Sequence, residues 1–253
     1  SHCDNQEQVL TVQLYKLRQS KQLIGKPAVF FNSAASAKVS GSFPDSQYKR
    51  IALIHEFMTG YSASFQRLIV SNVDKLVFSS QSVRDNCPLL PHFRGQFTIL
   101  AQGLLEENFG CGNRAEARQF LCDRLGISAD SFVVLACGTV EPRKGVDIFV
   151  QAANQILQSG HKDIDFIWVG GEQTTGYEAL KWTRIDLQQA GLNNRVHFVD
   201  KQSVIEPYFT GADIFVLPSR QDPLPCVLHL AMSAALPVVA FRNSGGAEDV
   251  LAE

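Results

Sequence analysis

Two cations follow an apolar run in the second half of the sequence. Arg143 and Lys144 come shortly after FVVLACG, and Gly145 then opens an amphipathic stretch. Cations beside the positive end of a helix dipole favour an anion, most often a phosphate. The alternative is a solvated basic turn, which needs no ligand. The spacing leaves both interpretations open.

An acid stands between another apolar run and a helix with prolines at its start. The loop SRQDPLP contains Asp222 and leads from DIFVLPS into a helix pattern at 226–235. Pro225 is compatible with the first turn of a helix, where exposed amides can face a ligand. Asp222 either approaches that ligand or caps the helix, and for an isolated Asp-Pro pair the cap is the commoner role.

Glycines mark two further strand ends. Gly170 and Gly171 close the run IDFIWVGG, where they would let a ligand approach the backbone or allow a tight turn. Gly245 and Gly246 open another helix after PVVAF, and Glu248 would stabilise that helix start or reach the site. Four strand ends of the same character predict a common ligand.

In the first half of the chain, His55 and Glu56 end the apolar run RIALIHE. A histidine at the carboxyl end of a strand can hydrogen-bond a substrate or transfer a proton, and the alternative is a core histidine satisfied by backbone groups. Ser33 and Ser36 are weaker candidates. No Ser-His-Asp or Cys-His spacing indicates a covalent mechanism, although such sites are recognised by geometry.

The elements that must position these residues alternate strictly between strand and helix. Continuous apolar strands separated by helices predict parallel sheets covered on both faces, and such sheets bind ligands at the carboxyl ends of their strands. We expect strands at 27–33, 50–56, 74–80, 97–103, 132–138, 164–171, 195–200, 213–219 and 237–241, with helices in the second half at 145–159, 177–190, 203–211, 226–235 and 245–253.

A polar segment after Gly103, LLEENFGCGNRAEA, interrupts this rhythm and is the predicted linker. We therefore predict an α/β protein with two Rossmann-like, doubly wound domains that face a cleft. Residues 1–104 would form one of these domains and residues 105–253 the other. A length of 253 residues suits two domains.

Composition excludes several classes of function. The chain is 45% hydrophobic and 19% charged, with a formal net charge of −2, so it supplies no basic face for nucleic acid. No apolar run reaches the ~20 residues that cross a bilayer, and the opening SHCDNQEQ is unlike a signal peptide. We expect a cytoplasmic protein. Six cysteines without a CxxC pair predict reduced thiols and no zinc site.

Over residues 130–253 the sequence resembles the retaining, nucleotide-sugar-dependent glycosyltransferases of the GT-B fold, the large group that includes sucrose synthase-like and mannosyl transferases. The resemblance is carried, in order, by GTVEPRKGVDIFVQAA, FIWVGG, ADIFVLPSRQDPLPCVLHLAM, LPVVAF and SGGAEDVL. Residues 27–103 match more loosely, through FFNSAAS, ALIHEF, DKLVFSSQSVRD and ILAQGL. The ends of the family's two domains are missing from this pattern, which indicates a fragment or a shortened member.

The resemblance implies that residues 1–104 are a partial acceptor-side domain and residues 105–253 the donor-binding domain. It also implies a role for each candidate residue. Lys144 would bind the donor's phosphates, and Asp222 falls on the first of two sugar- and ribose-binding glutamates eight positions apart. Leu230 falls on the second, and leucine cannot accept a hydrogen bond from ribose. Thr139 stands where many relatives have arginine. The implied catalytic residues are His55, Lys144 and Asp222, and the implied donor-binding residues are Thr139, Arg143, Lys144, Gly170, Gly171, Asp222, Pro223, Leu224, Pro225, Cys226, Leu230, Gly245 and Gly246.

The implied activity is transfer of a sugar from a nucleotide diphosphate sugar to a glycan or lipid-linked acceptor, with retention of configuration. No metal and no cofactor beyond the donor are expected, and peripheral membrane contact stays open. The rival is a degenerate, non-catalytic binding module, which Leu230 and the missing ends favour. A nucleotide-sugar epimerase would need further acids that the sequence does not identify.

Overall fold

A computed structural model describes residues 26–103, 109–172 and 179–251. The chain divides into two compact units, unit 1 (Ser1–Ala101) and unit 2 (Gln102–Glu253). The predicted linker begins at residues 104–108, and the predicted helix 177–190 begins at 177–178; both stretches lie outside the described residues.

Unit 1 contains a four-stranded, fully parallel sheet in the order β1-β2-β3-β4. Its helices begin where serine side chains accept hydrogen bonds from backbone N–H groups three residues further along the chain: Ser62 from Phe65, and Ser80 from Val83. The strands are β1 (Ala28–Phe31), β2 (Lys49–Ile54), β3 (Lys75–Phe78) and β4 (Gln96–Ile99), and the helices are α1 (Ala63–Asn72) and α2 (Gln81–Asp85), with 3₁₀ turns at Ser36–Ser42, Met58–Gly60 and Leu90–His92.

Unit 2 contains a five-stranded parallel sheet in the order β7-β6-β5-β8-β9. The chain winds outward from β5 to β7 and then returns to β8 on the other side of β5. The strands are β5 (Phe132–Cys137), β6 (Ile164–Val169), β7 (Val196–Val199), β8 (Ile214–Leu217) and β9 (Val238–Ala240), and the helices are α3 (Arg114–Leu125), α4 (Val146–Gln158), α5 (Ala179–Gln189), α6 (Glu206–Gly211), α7 (Cys226–Ser233) and α8 (Ala247–Leu251), with a 3₁₀ turn at Pro142–Lys144.

Both faces of the unit 2 sheet are packed. Successive strand residues point to opposite faces. Leu135 therefore packs in one core cluster with Tyr208 of α6, whereas its neighbour Val134 packs in the other with Phe149 of α4. Two buried faces explain the near-continuous apolar strands of the sequence, and the predicted α/β class with parallel, doubly wound sheets is confirmed.

The described cysteines are free thiols: Cys87, Cys111, Cys122, Cys137 and Cys226. Across residues 26–103, 109–172 and 179–251, no helix combines the length and the apolar character that crossing a bilayer requires.

Candidate functional site

The candidate site lies where the winding of the unit 2 sheet reverses. Ligands of doubly wound sheets bind outside the carboxyl ends of the two strands at such a switch point, here β5 and β8. Lys144 follows β5 and Asp222 follows β8. The Lys144 Nζ and Asp222 Oδ2 atoms are 2.6 Å apart, and the two side chains are only 15% and 6% exposed. The fold thus joins the two residues as a largely buried ion pair.

The second cation, Arg143, is held by several groups. Its guanidinium donates to Glu141 Oε1 at 2.6 Å and to the Gln221 carbonyl at 2.9 Å, and lies 3.7 Å from Asp222 Oδ1. The charges of Glu141, Arg143, Lys144 and Asp222 therefore sum to zero. The sequence left open whether this turn binds an anion or is a solvated basic turn. In the structure each cation has an anionic neighbour with which a phosphate would have to compete.

The interpretation of Asp222 as a helix cap is wrong. The cap position of α7 is Pro225, and no side chain accepts a hydrogen bond from its first turn. Asp222 lies in the preceding loop, 4% exposed, and its carboxylate accepts hydrogen bonds from Lys144 and, at 3.4 Å, from the Ser219 hydroxyl. This buried acid is oriented toward the cation and not toward the helix.

The strand end after β9 holds the Asp222 loop in place. The Asp222 N–H donates to the Ser244 carbonyl at 2.7 Å, and the Gly246 N–H donates at 3.0 Å to the carbonyls of Asp222 and Pro223. The Gly246 amide is therefore occupied by the loop, and Gly245 forms a parallel bridge with Asp222. Glu248 accepts from the Asn243 N–H at 3.0 Å and so stabilises its own helix start.

Close backbone approach explains why glycine stands at residue 145. Gly145 has φ +75°, and a Cβ placed there would lie 2.0 Å from the Pro218 carbonyl oxygen at the end of β8. Any side chain would push the two strand ends apart. The contact between these backbones is what places Lys144 beside the Asp222 loop.

The glycines after β6 close tight turns. A Cβ on Gly170, which has φ +143°, would lie 2.0 Å from the Gly138 carbonyl oxygen. The Gly171 carbonyl accepts from the Val140 N–H at 3.0 Å. Thr139, half-buried between these contacts, lies at the end of β5. The tight-turn role of the glycine pair is evident, and their contact with a donor stays a prediction.

The start of α7 presents unused donors. In the described part of the chain, the backbone N–H groups of Cys226 and Val227 make no hydrogen bond. Leu224 and Pro225 are buried, Pro223 is half-buried and Cys226 is exposed. Free amides at the positive end of a helix are suited to anions and to sugar hydroxyls.

Two neighbouring side chains are chemically inert. Leu230, on α7, is half-buried and packs against the core cluster around Leu135 and Phe215. Burial raises the pKa of the Cys137 thiol to about 11, although the nearby Lys144 charge opposes this. Cys137 therefore remains protonated near neutral pH and is not a nucleophile.

His55 lies in unit 1, at the carboxyl end of β2. It is half-buried, and its Nε2 atom lies 3.4 Å from Asn32 Oδ1, so it is not a core histidine. Glu56 joins two strand ends, because its Oε2 atom accepts from the N–H groups of Ala34 and His55, both at 3.1 Å.

Ser33 and Ser36 satisfy one another. The Ser33 N–H donates to Ser36 Oγ at 3.0 Å, and the Ser36 N–H donates to Ser33 Oγ at 2.9 Å. This reciprocal pair shapes the turn after β1, which accounts for both residues without a ligand.

Sequence reasoning gave no role to several residues that build the site. Glu141 restrains Arg143, and Ser219 contacts Asp222. Arg220, in the loop after β8, forms a two-pronged ion pair with Asp147 in the first turn of α4, at 2.7 and 2.6 Å. These partners lie 73 or more residues apart or in irregular turns, so no periodic signal could have revealed them.

Comparisons with known proteins bear on this arrangement. The family described as Glycosyl transferases group 1 matches residues 131–253. An alpha-galactosylglucosyldiacylglycerol synthase of Streptococcus pneumoniae is 32% identical over 121 residues, which cover 46% of this chain and 30% of that protein. A D-inositol 3-phosphate glycosyltransferase of Geodermatophilus obscurus is 26% identical over 185 residues, covering 70% of this chain and 40% of that protein. The chain thus spans less than half the length of these relatives.

Solved structures show the same architecture. Anabaena HepE in complex with UDP superposes with a TM-score of 0.80 at 19% identity, over 96% of this chain and 65% of that one. The sucrose-phosphate synthase of Thermosynechococcus elongatus gives a TM-score of 0.74 at 23% identity, over 95% of this chain and 61% of that one. These likenesses confirm the predicted GT-B fold class for the two α/β units.

Proposed function

We propose that the chain binds a nucleotide diphosphate sugar and transfers its sugar to an acceptor, because residues 131–253 match the family described as Glycosyl transferases group 1. The observation that supports this best is the buried Lys144–Asp222 pair at the switch point between β5 and β8. It sets a cation and an acid side by side where a doubly wound sheet receives ligands.

The two charges suit the two halves of such a donor. Lys144 would bind the diphosphate, and the unused amides of Cys226 and Val227 would contribute further donors. Asp222 would repel phosphate but can accept hydrogen bonds from sugar hydroxyls. The donor's sugar, and not its diphosphate, would therefore lie next to Asp222. Glu141 restrains Arg143 while leaving its charge near the phosphates. HepE has been solved with UDP and with UDP-glucose, so UDP is the first nucleotide to test.

In the proposed reaction the bond between the anomeric carbon and a diphosphate oxygen breaks. A bond from that carbon to the oxygen of an acceptor hydroxyl forms, with retention of configuration, and the hydroxyl's proton passes to the departing diphosphate or to solvent. Negative charge grows on the departing nucleotide diphosphate, and the fixed Lys144 ammonium stabilises it in a partly desolvated site. His55 would contact the sugar or the acceptor. No metal forms part of the proposal.

The acceptor is proposed to be a saccharide or a lipid-linked sugar. One relative is named an alpha-galactosylglucosyldiacylglycerol synthase and another a D-inositol 3-phosphate glycosyltransferase, which motivates both kinds of acceptor. The chain's first unit would recognise this partner.

The test is turnover of UDP-glucose and other nucleotide sugars, followed as nucleotide release with and without a saccharide acceptor. Lys144→Ala should abolish the release, whereas Lys162→Ala, at an exposed lysine before β6, should leave it unchanged. Equal release by wild type and Lys144→Ala would contradict the proposal.

Leu230 supports a second candidate, a binding module without turnover. Its apolar side chain packs on the core where the resemblance implies a ribose-binding glutamate. A module would bind a nucleotide in a Lys144-dependent manner and release no product from any nucleotide sugar.

A further inference from the structure

Unit 1 carries a second concave surface that the donor site does not use. A pocket of about 780 Å³ opens at the amino-terminal edge of the parallel sheet, beside the first residues of β2, β3 and β4. Three arginines line it, Arg50, Arg67 and Arg94, together with His92 and a single acid, Asp74. This edge is opposite to the carboxyl edge that holds His55.

The floor of the pocket is a fixed ion pair. The Arg50 guanidinium, 11% exposed, donates to Asp74 Oδ1 at 2.9 Å and to Oδ2 at 3.3 Å, and the Arg50 N–H donates to Oδ2 at 2.7 Å. Hydrogen bonding from Arg50 lowers the pKa of Asp74, despite the opposing effect of burial. The acid is thus ionised and already used by Arg50.

The two other arginines have no such partner. Within residues 26–103, 109–172 and 179–251, the guanidinium groups of Arg67 and Arg94 make neither a hydrogen bond nor an ion pair, and both side chains are exposed. Three arginines and one aspartate leave the pocket with two uncompensated positive charges before His92 is counted. Each guanidinium offers a planar fork of donors that matches the oxygens of a phosphate.

The local fold holds Arg94 at this rim. The next residue, Gly95, passes so close to β3 that a Cβ there would lie 2.4 Å from the Asp74 carbonyl oxygen. That carbonyl also accepts from the Gln96 N–H at 3.2 Å. Arg94 is therefore anchored next to the Arg50–Asp74 pair by backbone contacts that only glycine permits.

Besides Ser71 and Gly95, the remaining lining residues are the apolar Val70, Val73 and Leu89. A free inorganic anion would leave this surface in water, whereas a phosphate ester with an apolar portion would cover it. We propose that this pocket binds the phosphate group of such an ester, with Arg67 and Arg94 as its ligands.

No residue of this pocket belongs to the proposed donor site. Arg50 and His55 stand at the two ends of β2, roughly 16 Å apart at the usual rise per strand residue, and Lys144 belongs to the other unit. Loss of donor binding and loss of phosphate binding here would therefore be distinguishable.

Two sources share this chemistry, a lipid headgroup and a soluble phosphate ester, and two arms of one experiment distinguish them. In the first, monobutyl phosphate is titrated into the chain by calorimetry. In the second, the chain is floated with vesicles of phosphatidylcholine or of an equimolar mixture of phosphatidylcholine and phosphatidic acid. Both arms use wild type, R67Q/R94Q, the charge-matched control K38Q/K162Q at exposed lysines, and Lys144→Ala.

We expect R67Q/R94Q to bind at least about tenfold more weakly, since each lost contact is a charge-assisted hydrogen bond. The control pair and Lys144→Ala should keep wild-type binding. R67K/R94K keeps both positive charges but loses the paired donors of each guanidinium. An affinity between those of wild type and R67Q/R94Q would therefore identify the arginines as ligands. A loss limited to the mixed vesicles indicates a lipid phosphate, and a loss with monobutyl phosphate alone indicates a soluble ester. Equal binding by wild type and R67Q/R94Q in both arms, or no binding by wild type, would overturn the proposal.

Discussion

Unit 2 buries two aspartates at opposite edges of one sheet, and their surroundings differ. Asp165, near the start of β6, is fully used: its carboxylate accepts from Ser131 Oγ at 2.5 Å and lies 2.9 Å from His197 Nε2 and 3.1 Å from Arg195. Asp222, after β8, is also buried, but it has one short contact, with Lys144 at 2.6 Å, and longer ones with Ser219 at 3.4 Å and Arg143 at 3.7 Å. It lies near helix amides that make no hydrogen bond within the described residues. A saturated network stabilises a fold, whereas an acid beside free donors can receive a ligand.

The largest expected effect comes from breaking the saturated network. Asp165→Asn should lower the free energy of unfolding by about 4 kcal/mol, because it leaves Arg195 and His197 beside a neutral amide in a buried position. Urea unfolding measures this change. The folded variant should still bind UDP with nearly wild-type affinity, and a large loss of UDP affinity would remove the distinction between the two aspartates.

Gly145→Ala should have the next largest effect on stability, and it alters the carboxyl edge of the unit 2 sheet, where Asp222 lies. A methyl group at φ +75° and 2.0 Å from the Pro218 carbonyl must displace one of the two strand ends, so we expect a loss of roughly 3 kcal/mol in stability. UDP affinity should fall as well, because Lys144 moves with the turn. Gly126→Ala, also at positive φ but with nothing within 4 Å, is the matched control, and similar effects of both variants on UDP affinity would contradict this account.

The stability that Asp165 contributes should depend on pH. Burial by itself would raise the pKa of Asp165, but the hydrogen bonds from His197 and Ser131 outweigh it and hold that pKa below its usual range. A carboxyl with a depressed pKa in the folded state stabilises the fold above its unfolded pKa of about 4 and loses this contribution as the pH falls through the folded value. The stability difference between wild type and Asp165→Asn should therefore shrink below roughly pH 4. A difference independent of pH would contradict the assignment.

Leu230→Glu should have the smallest effect of these variants, and it tests whether the ribose of the ligand lies near α7. A carboxylate at this position would accept hydrogen bonds from ribose hydroxyls, so UDP affinity should rise by up to about tenfold, at some cost in stability because Leu230 packs on the core. Leu230→Gln, with a weaker acceptor of similar size, should show a smaller rise. Unchanged or weaker UDP binding by Leu230→Glu would place the ribose elsewhere.

The sequence predicted which edge of the sheet holds the site, but not the contacts between the site's side chains. Strand-end reasoning brought Lys144, Gly145 and Asp222 to one place, because apolar runs and polar ends are local signals. It could not show that Asp222 pairs with Lys144 or that Glu141 restrains Arg143, since both depend on irregular turns.

Sequence reasoning did not predict the hydrogen-bonded network around Asp165. Its members, Ser131, Asp165, Arg195 and His197, come from strand starts up to 66 positions apart along the chain, and strand starts carry no pattern that marks a cluster. The strand order that places β8 beside β5 is likewise a long-range property. Local patterns therefore predicted the fold class and the edge of the sheet, but not the partners.

We propose that the nucleotide diphosphate binds at the Lys144–Asp222 pair, and a UDP binding isotherm would show whether it does. Calorimetric titration of wild type, Lys144→Ala and Asp165→Asn with UDP, at a temperature where all three are folded, compares the two edges of the sheet in one experiment. We expect about a 100-fold loss of UDP affinity for Lys144→Ala and nearly wild-type affinity for Asp165→Asn. Equal UDP affinity of wild type and Lys144→Ala would contradict the proposal.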